Sequence, residues 1–146
     1  MKVSGSYELP VDQARAHMLL QDPVALARAM PGCDRLERIG EDEYAMKMKM
    51  IIASLSGLFD SKVRLVDHDP PHSFGMQVDG NGKIGFVKGA GVIRFQPNAA
   101  GTVVHYEGEV HVGGTIAAVG QRLIDSTAKM MIRKFFERMA ETANGQ

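Results

Sequence analysis

Across residues 35–112 apolar and polar side chains alternate with a period of two, in six runs parted by turn residues. The runs are residues 35–39, 43–53, 58–67, 73–79, 85–96 and 102–112. Gly40-Glu41-Asp42, Asp69-Pro70-Pro71, Asp79-Gly80-Asn81-Gly82 and residues 97–101 supply the turns. Strands joined so briefly predict an antiparallel meander. A weaker alternation at residues 3–9 adds a first strand that stops at Pro10, for about seven strands in all. Two short helices fall between the first and second strands. Asp12 can cap one carrying Ala14, Ala16, Met18, Leu19 and Leu20. Asp22-Pro23 opens another, carrying Val24, Leu26, Ala27 and Met30, which Pro31-Gly32 ends.

Period two also assigns faces. Tyr44, Met46, Met48, Met50 and Ile52 point one way and Lys47 and Lys49 the other. In the next run Phe59, Ser61, Val63 and Leu65 oppose Asp60, Lys62 and Arg64, and after it Phe74, Met76 and Val78 oppose Gln77 and Asp79. Val104, Tyr106, Gly108, Val110 and Val112 oppose His105, Glu107, Glu109 and His111. Residues 85–96 differ, because the inward set Val87, Gly89, Gly91, Ile93 and Phe95 contains two positions with no side chain. Glycines on a methionine-rich wall leave room for a guest; equally, they let the strand coil tightly around a helix. Both readings stay open at this level.

Residues 113–140 read as one helix of about seven turns without a proline. At 100° per residue Ile116, Val119, Gly120, Leu123, Thr127, Met130 and Met131 form its first apolar stripe. The stripe then drifts to Ile132, Phe135, Phe136 and Met139, with Arg133, Lys134 and Arg138 beside them. The first half is expected to lie on the sheet. The second half, apolar residues flanked by cations, suits an anionic membrane surface or an acidic partner, or packs under the two short helices.

The length of 146 residues suits one domain, residues 1–146, and 45% hydrophobic with 23% charged residues is ordinary for a soluble protein. Lys plus Arg equals Asp plus Glu at 17 each, and no arginine-rich arm occurs, which argues against nucleic acid as a partner. The first residues lack the apolar core of a signal peptide, and no stretch reaches ~18 uninterrupted apolar residues. Ten methionines and no tryptophan are the unusual feature, since methionine fills irregular apolar space and adapts to varied partners.

Candidate chemistry is sparse. His105 and His111 share a wet strand face with Glu107 and Glu109, where residues two apart sit too far apart to share a metal easily, so no metal site is expected. His68 and His72 flank a turn, and His17 reads as a surface or rim residue of the first short helix. The single cysteine, Cys33, follows Pro31-Gly32 with no histidine nearby in sequence and reads as structural. Gly80-Asn81-Gly82-Lys83 lacks the spacing of a phosphate loop. No acid and base pair can be placed inside, so neither an enzyme nor a cofactor is expected.

Four segments together resemble the carbon monoxide dehydrogenase G-subunit family: Met30-Pro31-Gly32-Cys33, Asp67-His68-Asp69-Pro70-Pro71, Gly85-Phe86-Val87-Lys88-Gly89, and Val112-Gly113-Gly114 followed by Arg122-Leu123-Ile124-Asp125-Ser126-Thr127-Ala128-Lys129. The resemblance runs in order from about residue 2 to residue 139. That family lies in the START and birch-allergen-like (SRPBCC) superfamily. It implies an α+β helix-grip fold, a curved antiparallel sheet of about seven strands around a long C-terminal helix with an apolar cavity between. It further implies a noncatalytic, cytoplasmic protein that binds a lipid or quinone-like molecule. The implied partners are a carbon monoxide dehydrogenase-type molybdenum hydroxylase and, peripherally, the inner face of the membrane. The chain ends at Gln146 without the long tail with an apolar end that some relatives carry, which argues against permanent anchoring. An alternative role is assembly or membrane recruitment of such an enzyme, with the cavity incidental. The cavity is expected to be lined by Tyr44, Met46, Met48, Met50, Phe59, Val63, Phe74, Met76, Gly89, Gly91, Ile116, Val119 and Leu123. Contact with a membrane or partner is expected at Phe135, Phe136, Met139, Arg133, Lys134 and Arg138.

Overall fold

Proline, capping aspartates and glycines set where the helices begin and end. A computed structural model describes residues 1–145. Strand β1 spans Lys2–Leu9 and hands over to α1 (Gln13–Leu19), whose first turn is capped by Asp12 Oδ1 accepting from the Arg15 N–H at 2.8 Å. Helix α2 (Pro23–Ala29) starts the same way, with Asp22 Oδ2 accepting from the Ala25 N–H at 3.1 Å. These helices carry the chain to the far edge of the sheet. There β2 (Cys33–Gly40), β3 (Glu43–Ile52), β4 (Leu55–Asp69), β5 (Ser73–Gly82), β6 (Gly85–Asn98) and β7 (Gly101–Gly113) meander back until β7 pairs with β1. The order is β1-β7-β6-β5-β4-β3-β2, antiparallel throughout, with β1 and β2 as the edges.

The register confirms the predicted faces: Tyr44 lies opposite Val63, Val63 opposite Val78, Val78 opposite Gly89, and Gly89 opposite Val110. Two turns are tighter than expected. In the β6–β7 connection Asn98 pairs with Gly101, leaving Ala99-Ala100 as the turn. Residues 79–82 belong to β5, which pairs Gly82 with Gly85, so the turn itself is Lys83-Ile84. The final helix also differs. After Gly113 the chain forms a 3₁₀ turn at Thr115–Val119, breaks at Gly120, and only then enters α3 at Gln121–Asn144. Gly114 and Gly120 take φ of 82° and 99°, a left-handed backbone that glycine adopts without a Cβ penalty, and this resets the helical phase.

Because of that reset, the buried side of α3 is a single stripe and not two. Ile124, Phe136, Met139 and Ala143 are buried, with Met131, Ile132, Phe135 and Ala140 packed beside them. The core falls into two clusters. One gathers Leu9, Leu19, Phe74, Phe95, Phe136 and Met139 beneath α1 and α2; the other gathers Met46, Met48, Ile52, Phe59, Ile116 and Ile124 around the start of α3. In the first, the Phe136 ring stacks on Tyr7 at 4.7 Å and on Tyr106 at 5.7 Å between centroids. The sheet, the long helix and the two short helices together form the helix-grip fold.

Candidate functional site between the sheet and the long helix

Between the two core clusters lies a row of inward positions that belong to neither: Val78, Gly89 and Val110, side by side on β5, β6 and β7. All three face α3 yet are only half-buried, as are Val63, Met76 and Gly91 around them. The reason is the path of α3. Its backbone approaches α2 and β1 more closely than it approaches β4, β5 and β6. Helices α1 and α2 with strands β1 and β3 flank it across the concave face. The half-burial of these inward positions leaves an open cleft whose wall is Val63, Met76, Val78, Gly89, Gly91 and Val110.

The inward glycines are not equivalent. A Cβ built on Gly89 would meet only the Glu109 carbonyl at 3.4 Å and Val110 Cγ2 at 3.7 Å, ordinary contacts with space beyond. A Cβ on Gly91 would lie 2.6 Å from the Glu107 carbonyl oxygen and 3.1 Å from the Gly108 Cα. Gly91 and Gly108 therefore pair backbone to backbone to let β6 and β7 coil, and Gly89 alone leaves usable room on β6. Gly80 is a third case, since its absent side chain makes way for the buried Ser61, whose hydroxyl would be 2.7 Å from a Cβ there.

The expected cavity lining divides accordingly. Val63, Met76 and Gly89 border the cleft, while Met50 and Val119 are half-buried beside the second cluster. Tyr44, Phe59, Phe74 and Ile116, with Met46 and Met48, are buried core. Tyr44 is also tied down at its polar end, donating to the Gln21 carbonyl and accepting from Arg38 Nη2 at 3.0 Å. Leu123 is 43% exposed, because the phase reset at Gly120 turns it outward and puts Ile124 in its place. Val78 and Val110 lie beyond the expected lining, although both already carried the correct inward strand phase.

The expected contact surface at the end of α3 is corrected more sharply. Phe136 is 5% exposed and Met139 fully buried, and Phe135 packs edge-on against Phe136 at 5.1 Å. Only Arg133, Lys134 and Arg138 remain at the surface, with Arg133 near Glu137 at 4.0 Å. The apolar half of the motif is used inside the protein.

His17 likewise lies in the core and not at the rim. Its ring is edge-on to Phe74 and Phe95 at 5.7 and 5.4 Å, and Gln21 Nε2 donates to its Nδ1 at 3.0 Å. Burial, with His68 nearby, holds its pKa below the ordinary value. Burial raises the Cys33 thiol in the same way, with Asp34 adding to the effect, so it is a poor nucleophile. Burial beside Tyr7 raises Tyr106. The inward positions of the seven strands carry no carboxylate. Among the described residues no group of three or more His, Cys, Asp or Glu is arranged to hold a metal ion.

Two surface recesses lie away from the cleft. One, about 460 Å³, opens at the other end of the sheet between Glu41, Asp42, Glu43, Arg64 and His68; the other, about 210 Å³, lies between Leu9, Pro10 and Asn98. Both are open surface features. The cleft is a trough whose wall is apolar. What it can do chemically is shelter an apolar molecule by removing its surface from water.

A family model described as the G subunit of carbon monoxide dehydrogenase (CoxG) matches residues 5–144. A conserved protein from Geobacillus kaustophilus, solved by crystallography, is 34% identical with a TM-score of 0.93, covering 99% of this chain and 96% of its own. A Thermus thermophilus protein shares the fold at a TM-score of 0.74 and 13% identity, over 99% of this chain and 98% of its own. The Zhui aromatase/cyclase from a Streptomyces species does so at 0.69 and 12%, over 99% and 93%. No curated protein matches the chain. No helix among the described residues is long and apolar enough to cross a membrane.

Proposed function

Because this chain belongs to the carbon monoxide dehydrogenase G-subunit family, in the SRPBCC superfamily, we propose that it is a noncatalytic carrier of an apolar, lipid- or quinone-like molecule. The guest lies in the trough between α3 and the central strands. The carrier serves a carbon monoxide dehydrogenase-type molybdenum hydroxylase and meets the inner face of the membrane peripherally. The observation that supports this reading best is the half-burial of Val78, Gly89 and Val110 at the middle of the concave face. Those positions in a filled helix-grip core would be as dry as Val104, which is fully buried one end further along β7. The lack of a carboxylate on the inward wall favours binding over catalysis. That another protein on this scaffold is an aromatase/cyclase supports the view that the grip accommodates organic molecules.

A second reading is favoured by the position of the two surface recesses outside the trough: the protein recruits or assembles the enzyme, and the trough is incidental. Mass spectrometry of an organic extract of the native protein separates the two. A stoichiometric apolar molecule, missing from a variant with the trough filled at Gly89, is the result expected of a carrier. An empty protein that still binds its enzyme establishes the recruitment role instead.

A further inference from the structure

The chain is neutral overall, but its charge is sorted by end. At one end of the sheet converge the β3–β4 turn, the β5–β6 turn, the close of β7, the 3₁₀ turn and the first turn of α3. These form one surface: Ile84 packs on Gly57, and its carbonyl accepts from the Ile116 N–H at 2.8 Å. The acids at the borders of this end are Asp34, Asp60, Glu109, Asp125 and Asp79, the last lying across from Lys88. The segments that build most of it, residues 49–59, 80–91 and 110–124, contain no aspartate or glutamate. They do contain Lys49, Lys83, Lys88 and Arg122, all exposed, and none of the four forms an ion pair among the described residues. The opposite end carries Glu41, Asp42, Glu43, Asp67 and Asp69 in its turns.

The cationic end is also apolar. Ile51 and Leu58 are 63% and 52% exposed on neighbouring strands, and Phe86 and Leu123 stand exposed on β6 and α3. Half of the eight large exposed hydrophobic residues therefore belong to these three segments, and the rest come from α1, α2, β2 and the middle of β6. Lys88 Nζ sits 5.9 Å from the centre of the Phe86 ring, so cation and apolar ring form one unit. Apolar side chains with unpaired cations beside them match an anionic bilayer surface.

We propose that this end of the sheet, and not the C-terminal end of α3, is the surface that docks on an anionic bilayer. The four apolar side chains enter the boundary between headgroups and acyl chains, while Lys49, Lys83, Lys88 and Arg122 face the lipid phosphates. The proposal rests on the carrier reading in one respect, that an apolar guest must pass between protein and bilayer. Between this end and the trough lies the cluster containing Met46 and Met48, with Met50 and Met131 beside them, the most adaptable side chains in the core.

The test is sedimentation of the full chain with vesicles of equal parts phosphatidylglycerol and phosphatidylcholine, and with phosphatidylcholine alone. Wild type is expected to bind the anionic vesicles and to be released by salt. Ile51→Glu with Leu58→Glu, at positions exposed enough to spare the fold, should bind at least tenfold more weakly. Lys49→Gln with Lys83→Gln should lose about fivefold per cation removed. Met18→Glu, an equally exposed apolar residue on α1, should bind as wild type. Wild type that stays in solution, or tip variants that bind as wild type does, overturns the proposal. If wild type ignores vesicles and the lysine variant binds the partner enzyme more weakly, the surface is a protein dock. Organic extracts of each variant keep the two readings apart. A tip variant that loses vesicles but keeps its bound molecule supports the dock. An extract that is empty throughout sinks the carrier and leaves the dock standing.

Discussion

Gly89→Leu is the change that most directly probes the trough. In the structure its Cβ would make only ordinary contacts at 3.4 and 3.7 Å, and the φ of Gly89 is not positive, so a side chain meets neither backbone clash nor strain. Replacing a strand glycine lowers the entropy of the unfolded chain by about 0.4–1 kcal/mol. The leucine side chain then covers part of the half-exposed valine wall, and complete burial would add about 1.5–3 kcal/mol. Stability should hold or rise by about 1 kcal/mol, since the trough is open on one side. Gly91→Leu is the contrast. There the first added carbon meets the Glu107 carbonyl oxygen at 2.6 Å, so strands β6 and β7 must part, at a cost of about 1–3 kcal/mol. The two variants should thus differ by about 2–4 kcal/mol, or roughly 5–15 °C in Tm for a chain of this size. Thermal unfolding followed by circular dichroism, with mass spectrometry of extracts from both, is the assay. Gly89→Leu should melt at or above wild type and carry no guest. If it melts as low as Gly91→Leu, the trough is already filled. If it melts normally and carries as much apolar molecule as wild type, the guest lies elsewhere.

Phe136→Ala should cost about 3–5 kcal/mol in urea unfolding, because the ring is sandwiched against Tyr7 and Tyr106; a loss within about 0.5 kcal/mol would contradict its place in the core. Tyr44→Phe removes the group bridging Arg38 Nη2 and the Gln21 carbonyl and should cost about 1–3 kcal/mol, and an unchanged denaturation midpoint would show the bridge is idle. His17 has a folded pKa below its ordinary 6.5, so the unfolded chain takes the proton first. Stability should be flat with respect to this group above pH 6.5 and fall as the pH drops below it, ceasing to fall below the folded pKa. His17→Phe should flatten that limb of the urea midpoint against pH, and an unaltered slope would assign the acid sensitivity to other groups.

The strands were legible because their side-chain period is two, an integer that survives small errors in the ends of a run. Val63, Val78 and Val110 were therefore placed on the correct face from their neighbours alone. The helix was less forgiving. A 100° step carries every error forward, and a start assumed at Gly113 and not at Gln121 turned Leu123 inward in expectation and hid Ile124. Nothing local marks that reset except Gly120, which closes the 3₁₀ turn with a φ of 99°.

By itself, then, the order of apolar and polar residues determined the meander, its faces, the capped short helices at Asp12 and Asp22, and the wealth of methionine inside. It could not say which inward glycine was room and which was a close backbone pair, since Gly89 and Gly91 have the same face and the same chemistry. Only the tertiary structure decided that, by bringing Glu107 and Gly108 of β7 against one and leaving the other with only ordinary contacts. It decided in the same way that Phe136 is core and that Ile51, Leu58, Phe86 and Leu123 share one end of the molecule. Burial and adjacency are sums over segments distant in sequence, and no local pattern contains them.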